Sequence, residues 1–394
     1  MSHESSHYLL LALPESVSPD SKILSQWLEQ NVSGGNVEVS TFDIPKFKVG
    51  TLDSLVVQSE DLNKLDNQLS SSVQKVLDII STIYDEKSNS DSKNSLIMKK
   101  ARVVESKPVE DFVSNFKWNS SRFRIEKPIE ELIKIISTDA LNLDNDLRSS
   151  YSTYNVAKSN LIAAQRKQTG DLSVKSLHDI VKASDFVLDS EHLQTILLVI
   201  PKSLQNQFLN TYETLTEFVV PRSGKLITHD SEYYLYSVTL FKKYVSSFLA
   251  SAREQKWIPR EFDYSEEIIN SMRDEYTNAS KAEATLKNDL IRLSKTAYSD
   301  IVNDWFHLKA LRVFVESVLR YGLPPNFYSY LLKLEEKNLK SSKDELIHKY
   351  GYLGGNAFTT DKNGKVLKDT SLHEYASLVD TEYEPFVLYD VELY

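Results

Sequence analysis

The sequence predicts an α+β, helix-rich fold drawn out into a dumbbell. A foot domain comes from both chain ends, a long antiparallel two-helix neck follows, and an α/β head is inserted between the neck helices. Three observations carry this reading. Two widely separated segments keep apolar residues at an alternating 4,3 spacing over many turns. Strand-like runs cluster before, between and after them. The 394-residue chain has only 10 glycines and 11 prolines to interrupt helices. A chain of this length exceeds the size at which one hydrophobic core usually stops growing, so more than one globular part is expected.

The foot opens with two strand-like runs, Tyr8 to Leu13 and Val37 to Ile44. A helix-compatible stretch from Ser21 to Gln30 lies between them, and Gly34-Gly35 marks the turn. This reads as a βαβ-like opening. The residues Leu52, Leu55, Val56, Leu62, Leu65, Leu69, Val73, Val76, Ile80 and Ile83 recur at helical spacing with no Gly or Pro among them, which predicts one long helix. Asp85 to Ser95, rich in Ser, Asn, Asp and Lys, reads as a solvated loop or a disordered connector. Ser88 and Ser90 there carry hydroxyls open to phosphorylation, with no motif in support.

The first neck helix starts at Pro128, whose fixed φ suits a helix start, and Glu130 and Glu131 complement the macrodipole. Its seam runs Ile129, Ile133, Ile136, Ala140, Leu143, Leu147, Ser150, Tyr154, Ala157, Leu161, Ala164 and Gln168. A period of 3.5 held for so long faces a single partner helix, whereas a globular surface helix shows a broader stripe at period 3.6. The partner begins at Asp263 and Glu266, which form a capping-box-like start, and no Gly or Pro follows until Gly322. Its seam is Ile269, Met272, Tyr276, Ala279, Glu283, Leu286, Leu290, Leu293 and Ala297. Beyond Ala297 it broadens into Ile301, Trp305, Phe306, Leu308, Leu311, Val313, Phe314, Val315, Val318 and Leu319, a pattern that belongs in a globular core. The first helix is densest at its beginning and the second at its end, so the pair is expected to run antiparallel. At 1.5 Å per residue the two measure roughly 60 and 85 Å.

Between them, Thr195 to Ile200 and Tyr233 to Thr239 read as strands, and Ser203 to Leu215 and Leu240 to Gln255 as helices. After the Gly322-Leu323-Pro324-Pro325 stop, strands are expected at Phe327 to Leu334 and Pro385 to Glu392, with a short helix at Ser341 to Tyr350. A hairpin is expected at Ala357 to Thr360 and Lys365 to Lys368, turning through Asp361-Lys362-Asn363-Gly364. The expected boundaries are 1–150 and 290–394 for the foot, 151–168 and 264–289 for the neck, and 169–263 for the head.

Composition narrows the function classes. Cysteine is absent, which removes disulfides, zinc–thiolate sites, iron–sulfur clusters and thiol nucleophiles and fits a reducing compartment. Met1 to His7 has no basic residue and Tyr8 to Leu13 is too short for a secretion-signal core, so a cytoplasmic chain is expected. No apolar run reaches the roughly 18 to 20 residues of a membrane span, which leaves membrane association to a partner. A net charge of −10 opposes nucleic acid and anionic lipid.

Catalytic motifs are missing too. A coiled coil with a globular base has the outline of SMC-type ATPases, yet Gly364-Lys365 runs into Val366 where a P-loop needs Ser or Thr, and Gly351, Gly354 and Gly355 lack the Lys that should follow. His373-Glu374 meets Ser377 where a zinc helix needs a second His, and Asp361 with Asn363 departs from an EF-hand at Lys365. There is no G-x-S-x-G elbow. Trp305, Phe306, Phe314 and Tyr321 follow helical spacing and read as core, while Glu335-Glu336 and Asp380 to Glu384 read as solvated surface. No catalytic, cofactor-binding or metal-binding residue is therefore expected, and no cofactor. Function should reside in partner surfaces on the head and foot.

Several stretches together resemble the C-subunit family of eukaryotic V-type proton ATPases, and a fungal member in particular. They are Asp43 to Leu55 (DIPKFKVGTLDSL), Thr169 to Val181 (TGDLSVKSLHDIV), Trp257 to Glu267 (WIPREFDYSEE), Trp305 to Pro325 (WFHLKALRVFVESVLRYGLPP), Gly351 to Phe358 (GYLGGNAF) and Tyr375 to Phe386 (YASLVDTEYEPF). The resemblance implies a non-catalytic stator component. Its head would hold a peripheral stalk made of the E and G subunits, and its foot would contact another stalk and the cytosolic N-terminal domain of the membrane-embedded a-subunit. It implies a place on the cytosolic face of the vacuolar membrane and release when the soluble sector detaches. Outside the resemblance, a cytosolic coiled-coil scaffold or cytoskeletal adaptor fits the same pattern.

Overall fold

The computed structural model describes residues 6–85, 101–360, 366–368 and 384–393. The chain divides into two compact units, Met1–Ser149 with Leu290–Tyr394, and Ser150–Asp289. The fold is α+β and rich in helix.

In chain order, strand β1 (Ser6–Pro14) leads to helix α1 (Ser21–Asn31), whose N-terminus is capped by the Asp20 carboxylate accepting the Lys22 N–H at 3.0 Å. Strand β2 (Glu38–Thr41) follows a turn in which Gly34 and Gly35 take φ of 60° and 86°, left-handed values that favour glycine. Helix α2 (Leu52–Asp85) is the long helix its spacing predicts. Helix α3 (Ile129–Thr169) starts with the Pro128 carbonyl accepting the Leu132 N–H at 3.1 Å. Next come β3 (Leu193–Pro201), α4 (Gln205–Thr211), β4 (Lys225–His229), β5 (Tyr233–Phe241), α5 (Val245–Glu254) and β6 (Ile258–Arg260). Helix α6 (Glu266–Tyr321) is capped by Ser265, whose hydroxyl accepts the Ile268 N–H at 3.1 Å. The cap is thus two residues later than the Asp263 start, because Ser265 directly precedes the first helical residue. Gly322, at φ 81°, ends α6 in the left-handed conformation. Strand β7 (Phe327–Leu334), helix α7 (Leu339–Tyr350) and strand β8 (Val387–Leu393) complete the chain. Phe358–Thr360 and Val366–Lys368 pair antiparallel as the expected hairpin arms. The turn between them lies outside the described residues, as do Ser88 and Ser90, His373, Glu374, Ser377 and Asp380.

In the unit made from both chain ends, the sheet order is β8-β1-β7-β2 and every neighbouring pair is antiparallel. The expected βαβ opening is therefore corrected. β1 and β2 point the same way, but β7 lies between them, pairing Leu11 with Tyr330 on one side and Val39 with Leu332 on the other. Local patterning cannot show a strand arriving from nearly 300 residues downstream. β1 is buried from Tyr8 to Leu13, which explains its unbroken apolar run: a central strand covered on both faces has no solvent face to make polar. One face packs on Leu24, Leu28 and Val32 beside α1 and on Leu346 and Tyr350 of α7. A second, helical core joins Leu55 and Leu62 of α2, Ile129 to Ile136 of α3, and Leu308 to Val318 of α6. Here α6 is buried at every residue from Ile301 to Ala310, and the broadened pattern marks that change from seam to core.

In the unit Ser150–Asp289 the sheet order is β4-β5-β3-β6, again antiparallel throughout. The helix expected at Leu240 to Gln255 is corrected: Leu240 and Phe241 end β5, and a single 3₁₀ turn, Lys242–Tyr244, precedes α5. The same corner occurs earlier, where β3 passes through Lys202–Leu204 into α4. The two strand–turn–helix pieces are related residue by residue at a displacement of forty, Leu193 to Tyr233 and Phe208 to Phe248. Leu197 pairs with Ser237, so the antiparallel register itself obeys a local two-fold axis between them. Equivalent residues fill one core: Ile196 with Tyr236, Leu198 with Val238, Ile200 with Leu240, and Phe208 with Phe248. Two strands absent from the sequence reading, β4 and β6, are short edges. β6 contains Pro259, whose missing N–H suits an edge.

Along α3 and α6 the seam residues are buried or half-buried, apart from Gln168, which is exposed. Within Ser150–Asp289, Tyr154 and Ala164 are buried, the Lys287 ammonium lies 5.8 Å from the Tyr154 ring centre, and Lys167 pairs with Glu275 at 2.5 Å.

Candidate docking surfaces and buried charge clusters

The residues weighed for chemistry fall mostly into packing roles. Trp305, Phe306 and Phe314 are core, and the Tyr321 hydroxyl donates to the Ala12 carbonyl at 2.8 Å. Gly351–Ala357 is a 3₁₀ turn that follows α7 directly. Glu335 lies at the surface with Lys337 at 2.6 Å. Among the described residues, no group of three or more His, Cys, Asp or Glu side chains is placed to hold a metal ion.

Two charge clusters escaped the sequence reading. Asp66 projects from the apolar face of α2 and is nearly sealed from solvent. Its carboxylate takes Lys309 at 2.8 Å, Arg312, and the Trp305 indole N–H at 2.5 Å. Arg312 also donates to Asn63 at 2.7 Å and stacks its guanidinium 4.0 Å from the centre of the Tyr389 ring on β8. Burial alone would raise the Asp66 carboxyl, but Lys309, Arg312 and the donated hydrogen bonds outweigh it and hold it below the usual carboxylate range. The cluster joins α2, α6 and β8, elements far apart in the chain, and its ionised carboxylate is committed to internal partners. That makes it a structural tie between them. The available signal was Asp66 sitting at a seam position between Leu62 and Leu69, and Lys309 and Arg312 within the otherwise apolar stretch Leu308 to Val315.

The second cluster surrounds Asp304, also on α6. Arg122 reaches it at 3.0 Å and extends to Asp139 at 3.4 Å. Burial pushes the Asp304 carboxyl up to about 7, against the pull of Arg122 and with help from Asp139 and Asp300. One turn on, His307 Nε2 accepts the Asn119 N–H at 3.0 Å, so Nδ1 carries the proton and donates to the Asn303 carbonyl at 2.8 Å. This neutral ring is buried, which pushes its pKa down to about 4.

The two groups act oppositely on stability. Between its ordinary 3.8 and about 7, folded Asp304 holds a proton that the unfolded chain has released, so stability falls as pH rises. Between about 4 and 6.5, the unfolded chain protonates His307 while the folded chain does not, so stability rises with pH. From about pH 4.5 to 6.5 the slopes oppose each other in the native protein. Urea unfolding across that range should show Asp304→Asn gaining stability with pH relative to wild type, and His307→Gln losing it. Parallel curves for all three proteins would contradict the assignment.

The exposed apolar side chains are distributed unevenly. Of the sixteen large exposed hydrophobics among the described residues, ten belong to the smaller unit, Ser150–Asp289. Three aromatic rings gather there: Phe218 stacks on Tyr244 with centroids 4.9 Å apart and meets Phe241 edge-on at 5.8 Å. In the other unit, Leu52, Val56 and Val57 are exposed at the start of α2. No helix among the described residues is long and apolar enough to cross a membrane.

Comparison with known proteins matches this architecture to one family. The family model described as the V-ATPase C-subunit matches residues 8–387. The chain is 50% identical over 391 residues to the V-type proton ATPase C-subunit of Saccharomyces cerevisiae, covering 98% of this chain and 97% of that protein. It is 37% identical to the V-type proton ATPase C-subunit 1 of Mus musculus, covering 95% and 96%, and 39% identical to the C-subunit 1-A of Danio rerio, covering 89% and 88%. Superposition on the cytoplasmic N-terminal domain of a V-ATPase I-subunit, a homologue of the a-subunit, gives a TM-score of only 0.30 at 11% identity, with 87% of this chain and 97% of that one covered. Matches of such length and identity to the first three leave one conclusion: the chain belongs to the V-ATPase C-subunit family.

Proposed function

We propose that this protein is a non-catalytic stator component of the vacuolar-type proton-translocating ATPase. In this reading 169–263 is a head that grips a peripheral stalk made of the E and G subunits. The foot, 1–150 and 290–394, contacts the cytosolic N-terminal domain of the membrane-embedded a-subunit, and 151–168 with 264–289 forms the helical neck. The protein sits on the cytosolic face of the vacuolar membrane and leaves when the soluble sector detaches. The observation that carries this is the 50% identity, over nearly the whole chain, to a yeast protein named as a component of that pump. The apolar surface of Ser150–Asp289 supports a docking role for that unit.

A stator link needs several contacts that are moderate singly and strong together, since tethering makes the second contact effectively intramolecular. The test is complementation of fungal cells lacking their own C-subunit. This chain should restore ATP-driven acidification of isolated vacuoles and co-purify with the E and G subunits. If acidification stays absent and no pump component is recovered with the tagged chain, the coiled-coil scaffold reading takes its place.

A further inference from the structure

The two-fold repeat in Ser150–Asp289 places equivalent corners on one sheet, and they are closed by equivalent backbone bonds. The Lys202 N–H donates to the Glu232 carbonyl at 3.0 Å, and the Lys242 N–H to the His192 carbonyl at 2.8 Å. The side chains differ. At the first corner Pro201, Lys202 and Ser203 lead to Leu204, which packs against the core, and the Lys202 ammonium lies 5.7 Å from the centre of the Tyr234 ring. At the second, Phe241 and Tyr244 are joined by Phe218, with Phe218 55% and Phe241 39% exposed. The fold closes the same corner without an exposed aromatic cluster, so closure does not explain these rings.

Phe218 adds a second observation. Its φ of 60° is left-handed, an unfavourable conformation for a bulky side chain, and it is held there as its carbonyl accepts the Phe241 N–H at 3.3 Å. Two consecutive exposed lysines border the rings. Lys242 Nζ is fixed on the Ser190 carbonyl at 2.7 Å, and Lys243 Nζ lies 5.9 Å from the centre of the Tyr244 ring. The equivalent pair at the first corner, Lys202-Ser203, has one cation fewer, and in a chain of net charge −10 such a doublet favours an acidic partner.

We propose that Phe218, Phe241 and Tyr244 form a docking corner for an acidic amphipathic helix of a partner protein. Its apolar face covers the rings and its carboxylates meet Lys242 and Lys243. The ring spacing of 4.9 to 5.8 Å suits anchors one helical turn apart. The corner deepens, and rests on, the proposed stalk-gripping role of this unit.

The test compares tagged full-length chains purified from cells. Phe218→Ser with Phe241→Ser should lower recovery of pump components by about tenfold, and Lys242→Glu with Lys243→Glu by about threefold, with melting temperatures within about 2 °C of wild type. Phe218→Gly should bind less yet melt at or above wild type, because glycine relieves the backbone strain. A benzoylphenylalanine cross-linker at Phe241 should capture an acidic helical peptide that the same probe at Ser203, on the equivalent corner, does not. Unchanged recovery of pump components by the ring variants would overturn the docking corner while leaving the stator role intact. So would a fall of more than about 5 °C for Phe218→Gly, which would make the rings structural. If wild type itself recovers no pump component, the stator role fails, and the cross-link decides the corner alone: an acidic helix supports it, and no capture above Ser203 overturns it.

Discussion

Replacing Asp66 with alanine should destabilise the unit formed by the two chain ends by about 3–5 kcal/mol, because it leaves Lys309 buried without its counter-charge. Arg312 keeps Asn63 and the Tyr389 ring, so Lys309 bears most of the loss. Adding Lys309→Met to Asp66→Ala should recover part of the stability, since a buried ion pair replaced by apolar groups of similar size is often neutral. Urea unfolding of the single and double variants measures both effects. A loss below about 1 kcal/mol for Asp66→Ala would mean that water reaches the cluster and screens it.

Phe208→Ala and Phe248→Ala should each cost about 3–5 kcal/mol, as expected for emptying a fully buried aromatic site. The two losses should agree within about 1 kcal/mol, because the residues occupy equivalent places in one core under the local two-fold axis. Amide hydrogen exchange should lose protection in β3 and β5 while the sheet containing β1 and β7 keeps its own, since the cores are separate. Strong asymmetry between the variants would show that the repeat is geometric only, with the core able to collapse around one ring and not the other.

The long helices were the most legible part of the sequence. The spacing of Leu55 to Ile83, Ile129 to Gln168 and Ile269 to Leu319 reports a side-chain period, and a period is a local property that tertiary structure only has to respect. The strands Tyr8–Leu13, Phe327–Leu334 and Tyr233–Thr239 were legible as apolar runs; Phe327–Leu334 was legible to its ends, while the first extends to Ser6–Pro14 and the last runs on to Phe241. Leu240 and Phe241 are as suited to a helix as to a strand, and the antiparallel pairing of Phe241 with Leu193 settles them as strand. The edges Lys225–His229 and Ile258–Arg260 stayed hidden because an edge strand of three to five residues has too few buried positions to show alternation.

Residue identity and spacing along the chain were enough for the helix-rich α+β class, the family, and the absence of any recognisable catalytic motif. Which strands neighbour one another emerged only in three dimensions, where β7 enters between β1 and β2. So did the charges that share a buried site, with Asp66 meeting Lys309 and Arg312, and the rings that remain uncovered, with Phe218 meeting Tyr244 at the surface. The physical reason is common to all three. Pairing, charge compensation and exposure depend on distances between residues remote in sequence, and a one-dimensional pattern holds no such distances.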